Sequence, residues 1–249
     1  MRKLALVMGL AVVMGLAVPA WAHFGMIIPN TNIVEGGDSR TVHLTFMFWH
    51  PMENKGMDLA KPAKVGVMVN GKKIDLTSKI SPAKIAGHQV WKLSYRIRRP
   101  GDYVFFMAPK PYWEPAEKLH IIHYTKTVVS ALGAEEGWDK PVGLPMEIVP
   151  MTKPYGLWAG MSFTGKVLFK GKPLAGAPVE VEFYNPTGKI HPPKDAYITQ
   201  VVTTDANGVF TVALPWGGWW GFSALTEVDG GKKELGGVFW VYAHPKPGK

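Results

Sequence analysis

Between residues 89 and 97, Trp91, Leu93, Tyr95 and Ile97 are apolar and alternate with Lys92, Ser94 and Arg96. A period of two describes a strand with one face on a core and the other in water. After residue 22 no stretch keeps the 3.6-residue apolar spacing of an amphipathic helix for long enough to compete. The chain is therefore expected to be all-β.

Further strands follow from β-branched and aromatic runs bounded by turn residues. Residues 41–49 make one. Residues 64–69 make another and lead into Asn70-Gly71, the strongest two-residue hairpin signal, ahead of Ile74 and Leu76. Pro100-Gly101-Asp102 turns the chain into a strand over 103–107, and 119–129 supplies the next. Residues 130–158 hold Gly133, Gly137, Pro141, Gly143, Pro145, Pro150, Pro154 and Gly156, a density that predicts a linker along the surface. Beyond it, strands are expected over 162–169, 179–184, 197–203, 209–214, 219–228 and 234–242, a spacing that suits a sandwich.

The start of the chain reads as an export signal. Arg2 and Lys3 precede an apolar stretch over 4–17, and Ala20-Trp21-Ala22 puts small residues where a signal peptidase reads. The apolar run falls short of the roughly 20 residues that span a bilayer. The expected organisation is a signal peptide over 1–22, an N-terminal β-sandwich over 23–150, and an Ig- or transthyretin-like β-sandwich over 151–249. The expected compartment is the periplasm, with a soluble mature protein.

The chain has no cysteine, which excludes disulfides and thiolate metal sites. Its formal charge of +9 comes from lysines spread in ones and twos, which argues for a basic surface and against a nucleic-acid groove.

The second block carries Gly165-Lys166-Val167, then Gly171-Lys172-Pro173-Leu174-Ala175-Gly176-Ala177-Pro178-Val179, then Thr204-Asp205-Ala206-Asn207-Gly208-Val209-Phe210. It resembles the transthyretin-like, carboxypeptidase-regulatory type of β-sandwich. Turn chemistry accounts for each piece, so no catalysis is expected there.

Cleavage after Ala22 makes His23 the first mature residue. Its α-amino nitrogen and imidazole Nδ1 can then close a six-membered chelate ring on one metal ion. The amine titrates at about 7.7–8.0, so a transition metal displaces its proton near neutrality. Nitrogen donors suit Ni(II), Cu(II) or Zn(II) and not Ca(II). The alternative is that the cleavage junction falls before a histidine by chance.

His50 is the best further donor, because Trp49-His50-Pro51 ends a strand where a side chain meets a loop-lined hollow. His43 lies seven residues away, on the opposite face. His120 and His123 also face opposite ways, and His123, sharing a face with Ile121 and Thr125, is preferred. His88, His191 and His244 are expected at the surface. Met26, Met47, Met52 and Met57 form a thioether set that would favour Cu(I), with core packing as the plainer account. Trp216, Trp219, Trp220 and Phe222 read as a sugar platform or an aromatic corner. Glu53, Asp58, Glu114 and Glu117 have no evident partner.

Taken together, Ala22-His23-Phe24, Phe46-Met47-Phe48-Trp49-His50-Pro51, Lys55-Gly56-Met57-Asp58-Leu59 and the run Lys118 through Lys126 carry a second resemblance. The chain resembles the exported bacterial proteins known as the additional periplasmic component of energy-coupling-factor nickel transporters. The resemblance implies a non-enzymatic protein that captures Ni(II), or Co(II), and hands it to a membrane permease subunit, with His23, His50 and His123 as metal ligands. Two other classes stay open: a copper-binding protein or copper oxidative enzyme with an N-terminal histidine, and a module that binds protein or carbohydrate without metal.

Overall fold

The computed structural model describes residues 22–247, so the expected signal segment lies outside the described residues except for Ala22. Among the described residues, twenty strands carry the fold. The first eleven are β1 (Phe24–Pro29), β2 (Ile33–Val34), β3 (Thr41–His50), β4 (Lys55–Met57), β5 (Lys64–Val69), β6 (Lys72–Asp75), β7 (Ser81–Ile85), β8 (His88–Arg96), β9 (Gly101–Ala108), β10 (Tyr112–Glu114) and β11 (Leu119–Ala131). The others are β12 (Met146–Pro150), β13 (Leu157–Trp158), β14 (Ser162–Phe169), β15 (Lys172–Pro173), β16 (Pro178–Phe183), β17 (Gln200–Thr203), β18 (Val209–Ala213), β19 (Gly218–Val228) and β20 (Lys233–His244). Among the described residues the only helix is a single 3-10 turn at Asp195–Tyr197. The all-β reading and the sandwich architecture hold.

The strands form three sheets. The first runs β1-β3-β8-β7, with β4 on β3. The central one runs β17-β16-β19-β20-β11-β9-β5-β6, with β2 and β10 on β11 and β13 on β20. The third runs β12-β14-β15, with β18 on β14. The central sheet crosses the boundary expected near residue 150, because β11 pairs in parallel with β20 from His120↔Lys233 to Thr127↔Trp240.

Alternation along β11 explains how one sheet serves two cores. Leu119, Ile121 and Val129 face a core shared with Val42, Leu44, Phe46 and Phe48 of β3. Val128, with Ile122 and Tyr124, faces the opposite core, shared with Ile148, Phe163 and Val167 of the third sheet. Burying each such side chain contributes about 1.5–3 kcal/mol. The other face of the first sheet is covered too: Phe24, Met26, Met47 and Trp49 pack with Val238 and Trp240 of β20.

Polar pins join the layers. Lys126 is 1% exposed, and its Nζ lies 2.6 Å from Glu147 Oε2. Glu147 also accepts the N–H groups of Val142 and Gly143. Burial pushes the Lys126 ammonium down from its ordinary range, and the Glu147 charge opposes that shift. Tyr155 donates to the buried Asp102 carboxylate at 3.1 Å.

Three local expectations are corrected. The stretch read as a linker contains β12, whose Met146 and Ile148 are fully buried, because the glycines and prolines bracket an apolar core segment. The strand expected from residue 197 begins at Gln200. Phe24–Pro29, not anticipated as a strand, is β1, and it positions the site described next.

Candidate metal centre

Phe24 pairs with Trp49 at the end of the antiparallel β1–β3 ladder. One step further along that register, His23 comes opposite His50, and opposed residues project to one face. The two imidazole centroids are 4.5 Å apart, tilted by 51°. Both residues are buried, at 8% and 6% exposure. The turn after His50 is held by the second half of the chain: Met52 N–H donates to Glu182 Oε2 at 3.1 Å and Asn185 N–H to the Pro51 carbonyl at 3.1 Å. His50 Nδ1 lies 3.0 Å from the Ala22 carbonyl oxygen.

Glu114, at the end of β10, supplies a carboxylate. Its Oε2 is 2.9 Å from His23 Nε2, and its Oε1 accepts the Ala116 N–H at 3.0 Å. Lys118 N–H returns to the Glu114 carbonyl and closes the turn into β11.

His123 reaches the same region from β11. Two glycines make room: a Cβ on Gly236 would overlap the His123 ring, and one on Gly25 would overlap Thr125 Oγ1. His123 Nδ1 takes the Gly25 N–H at 3.4 Å, while Nε2 lies 3.4 Å from Glu234 Oε1. Phe48 touches both outer histidines, stacked on His23 at 5.5 Å and edge-on to His123 at 5.9 Å. A cavity of about 50 Å³ opens beside His123, lined also by Phe48, Asp58, Met107, Tyr112 and Ile121. One water needs about 10–15 Å³, so the cavity has space for a small solvated group.

Burial, with His50 and His123 nearby, pulls the His23 imidazole down to about 4. His50 is lowered as well, chiefly by burial, against the opposing effect of the Ala22 carbonyl. At neutral pH the His23 ring is therefore uncharged, the form that binds a metal. Among the described residues, no group of three or more His, Asp or Glu side chains is arranged to hold an ion. The chemistry present is two neutral imidazoles beside the His23 main-chain nitrogen.

The other sequence candidates disperse. His43 is exposed and bonds Ser94 Oγ at 2.9 Å. His120 tilts against Trp113, and His88 lies 3.7 Å from Asp58. Met26 and Met47 are in one core, Met52 in a second, and Met57 packs against a third, so these four form no common thioether set. Phe222 is fully buried and stacked on Phe163 at 4.5 Å, whereas Trp216 is 43% exposed. With Phe183, Tyr197 and Trp220, Trp216 lines a separate cleft of about 530 Å³.

A domain of unknown function, DUF4198, matches residues 20–228. The chain belongs to the DUF4198 family. The match takes in His23, His50, His123 and Glu114 and stops short of Glu234. Comparison with curated proteins returns no match. Among solved structures, the chain is similar to the D0-D1 domain of intimin, with 11% identity, 90% of this chain and 100% of that one covered, and a TM-score of 0.26. The titin fragment A168169 aligns with 14% identity, 90% and 99% coverage, and a TM-score of 0.23. A marsupial T cell receptor gives 9%, 90% and 73%, and 0.25.

Sequence reasoning left Glu114 without an evident partner and missed Glu234. Glu114 was visible as the residue that opens the turn before the His120/His123 strand, a position from which a hairpin folds back onto its neighbours. Glu234 gave no local signal, because its approach to His123 depends on parallel pairing between strands more than a hundred residues apart.

Proposed function

We propose that the processed protein binds one late first-row transition-metal ion through the α-amino nitrogen and Nδ1 of His23 together with a ring nitrogen of His50. It works as an exported, non-enzymatic carrier that delivers Ni(II), with Co(II) as the second choice, to a membrane permease in the periplasm. The observation that carries this reading is the contact between His50 Nδ1 and the Ala22 carbonyl. That carbonyl belongs to the bond a signal peptidase hydrolyses. Water adds to the Ala22 carbonyl carbon, the C–N bond breaks, and His23 keeps the nitrogen as a primary amine. His50 is thereby left beside a new donor.

A set of one amine and two imidazoles does not need three side chains. It matches nitrogen-seeking ions and leaves calcium aside. His123, the third ligand expected from the sequence, has its ring nitrogens turned to Gly25 N–H and Glu234 and backs the pair. Burial of His23 and His50 suits holding and handing over an ion better than attack on a bulky polymer.

The test is calorimetric titration of the mature protein with Ni(II), Co(II), Cu(II) and Ca(II). The proposal expects one site for the first three and none for calcium. Absence of binding by all three transition metals would overturn it.

A further inference from the structure

We infer that Glu114 is the positioning residue of this centre: by accepting the Nε2–H of His23 it holds the imidazole in the tautomer whose Nδ1 is bare. The inference rests on the reading of His23 as a ligand and adds a residue to it. An imidazole can chelate together with its own α-amine only through Nδ1, since Nε2 lies on the far side of the ring. A neutral histidine carries one ring proton, and the partner of one nitrogen decides which nitrogen keeps a lone pair.

Here the partner is unambiguous. Glu114 Oε2 lies 2.9 Å from Nε2, and a carboxylate oxygen that accepts at that distance places the ring proton on Nε2. The carboxylate is itself fixed. Its second oxygen takes the Ala116 N–H at 3.0 Å, the Lys118 N–H closes the same turn onto its carbonyl, and the residue is 8% exposed. Phe48, stacked on the His23 ring with centroids 5.5 Å apart, restrains the ring plane. Tautomer and orientation are thus set before any ion arrives. Outer partners of this kind change metal affinity by about 10- to 100-fold when removed.

The experiment uses the mature full-length protein with ¹⁵N-labelled histidine, as wild type, Glu114→Gln and Glu114→Ala, with each titrated by Ni(II). In wild type the ¹⁵N shifts of His23 should show a protonated Nε2 and a bare Nδ1. Glu114→Gln, whose amide oxygen accepts the same proton, should keep that pattern and most of the affinity. Glu114→Ala should mix the tautomers and weaken Ni(II) binding by about 10- to 100-fold. A wild-type His23 protonated on Nδ1 overturns the inference without any variant. So does a Glu114→Ala protein that keeps both tautomer and affinity. Wild type with the expected tautomer but no affinity for Ni(II) sinks the metal centre instead, and with it the purpose assigned to Glu114.

Discussion

His23 and His50 face each other one step beyond the last pair of the β1–β3 ladder, 4.5 Å apart, with the carbonyl that precedes His23 bonded to the His50 ring. The geometry ties the segment around His23, the proposed start of the processed chain, to the end of a core strand. Removing the second imidazole should therefore remove most of the binding. His50→Ala in the mature protein is expected to weaken Ni(II) by about 100-fold or more, beyond what an outer-shell loss costs. His43→Ala, on an exposed face, and His120→Ala, against Trp113, should leave it unchanged. Calorimetry on the three variants checks this.

Proton release reports which donor the ion displaces. His23 titrates near 4 and so is neutral at pH 7. The α-amine, with an ordinary value of about 7.7–8.0, is still protonated there. Binding at pH 7 should release about one proton per ion, and affinity should climb with pH until roughly pH 8 and then level off. Titrations in buffers of different ionisation enthalpy give the count. Two or more protons would mean that a ring nitrogen is charged in the free protein.

Much of the frame was legible from periodicity. The limits of 64–69 and 162–169 match β5, a run of apolar residues buried on both faces, and β14; the alternation at 89–97 falls on β8 (His88–Arg96) to within a residue, because a strand with one wet face writes its burial into the sequence. His123 was correctly separated from His120 on the same ground: a period of two puts residues three apart on opposite faces, and His123 is buried while His120 is partly exposed. What stayed hidden depends on long-range pairing. β1 begins at Phe24, directly after the expected cleavage junction, where a short apolar run reads as the tail of a signal. The β11–β20 pairing, and with it Glu234 beside His123, has no local signature at all.

The buried Lys126–Glu147 pair binds the third sheet to the central one. Lys126→Met leaves Glu147 inside without its cation, and the expected loss is about 3–5 kcal/mol. Since the central sheet takes strands from both halves, denaturant unfolding should remain a single transition in wild type and variant alike. Circular dichroism and tryptophan fluorescence, followed together, test both statements.

Burial raises Glu182 from 4.5 to about 7 in the folded state. The folded form then binds a proton that the unfolded form has already lost. The group's contribution is complete below about pH 4.5 and is lost as pH rises through 7. Glu182→Gln never ionises; its amide oxygen can still accept from Met52 N–H while its NH2 donates to Thr199 Oγ1 in place of the hydroxyl donation. Its stability relative to wild type should increase from pH 5 to pH 8.5, by up to about 3 kcal/mol. Paired thermal melts at the two pH values check the sign.

The most direct test compares Ni(II) affinity of the mature protein beginning at His23 with that of a form keeping one extra residue, Ala22. In the extended form the His23 nitrogen is an amide, with no lone pair to offer at neutral pH. A sharp fall in affinity is expected, with β-sheet content and melting temperature of the metal-free forms unchanged. Equal affinities for the two would contradict the account.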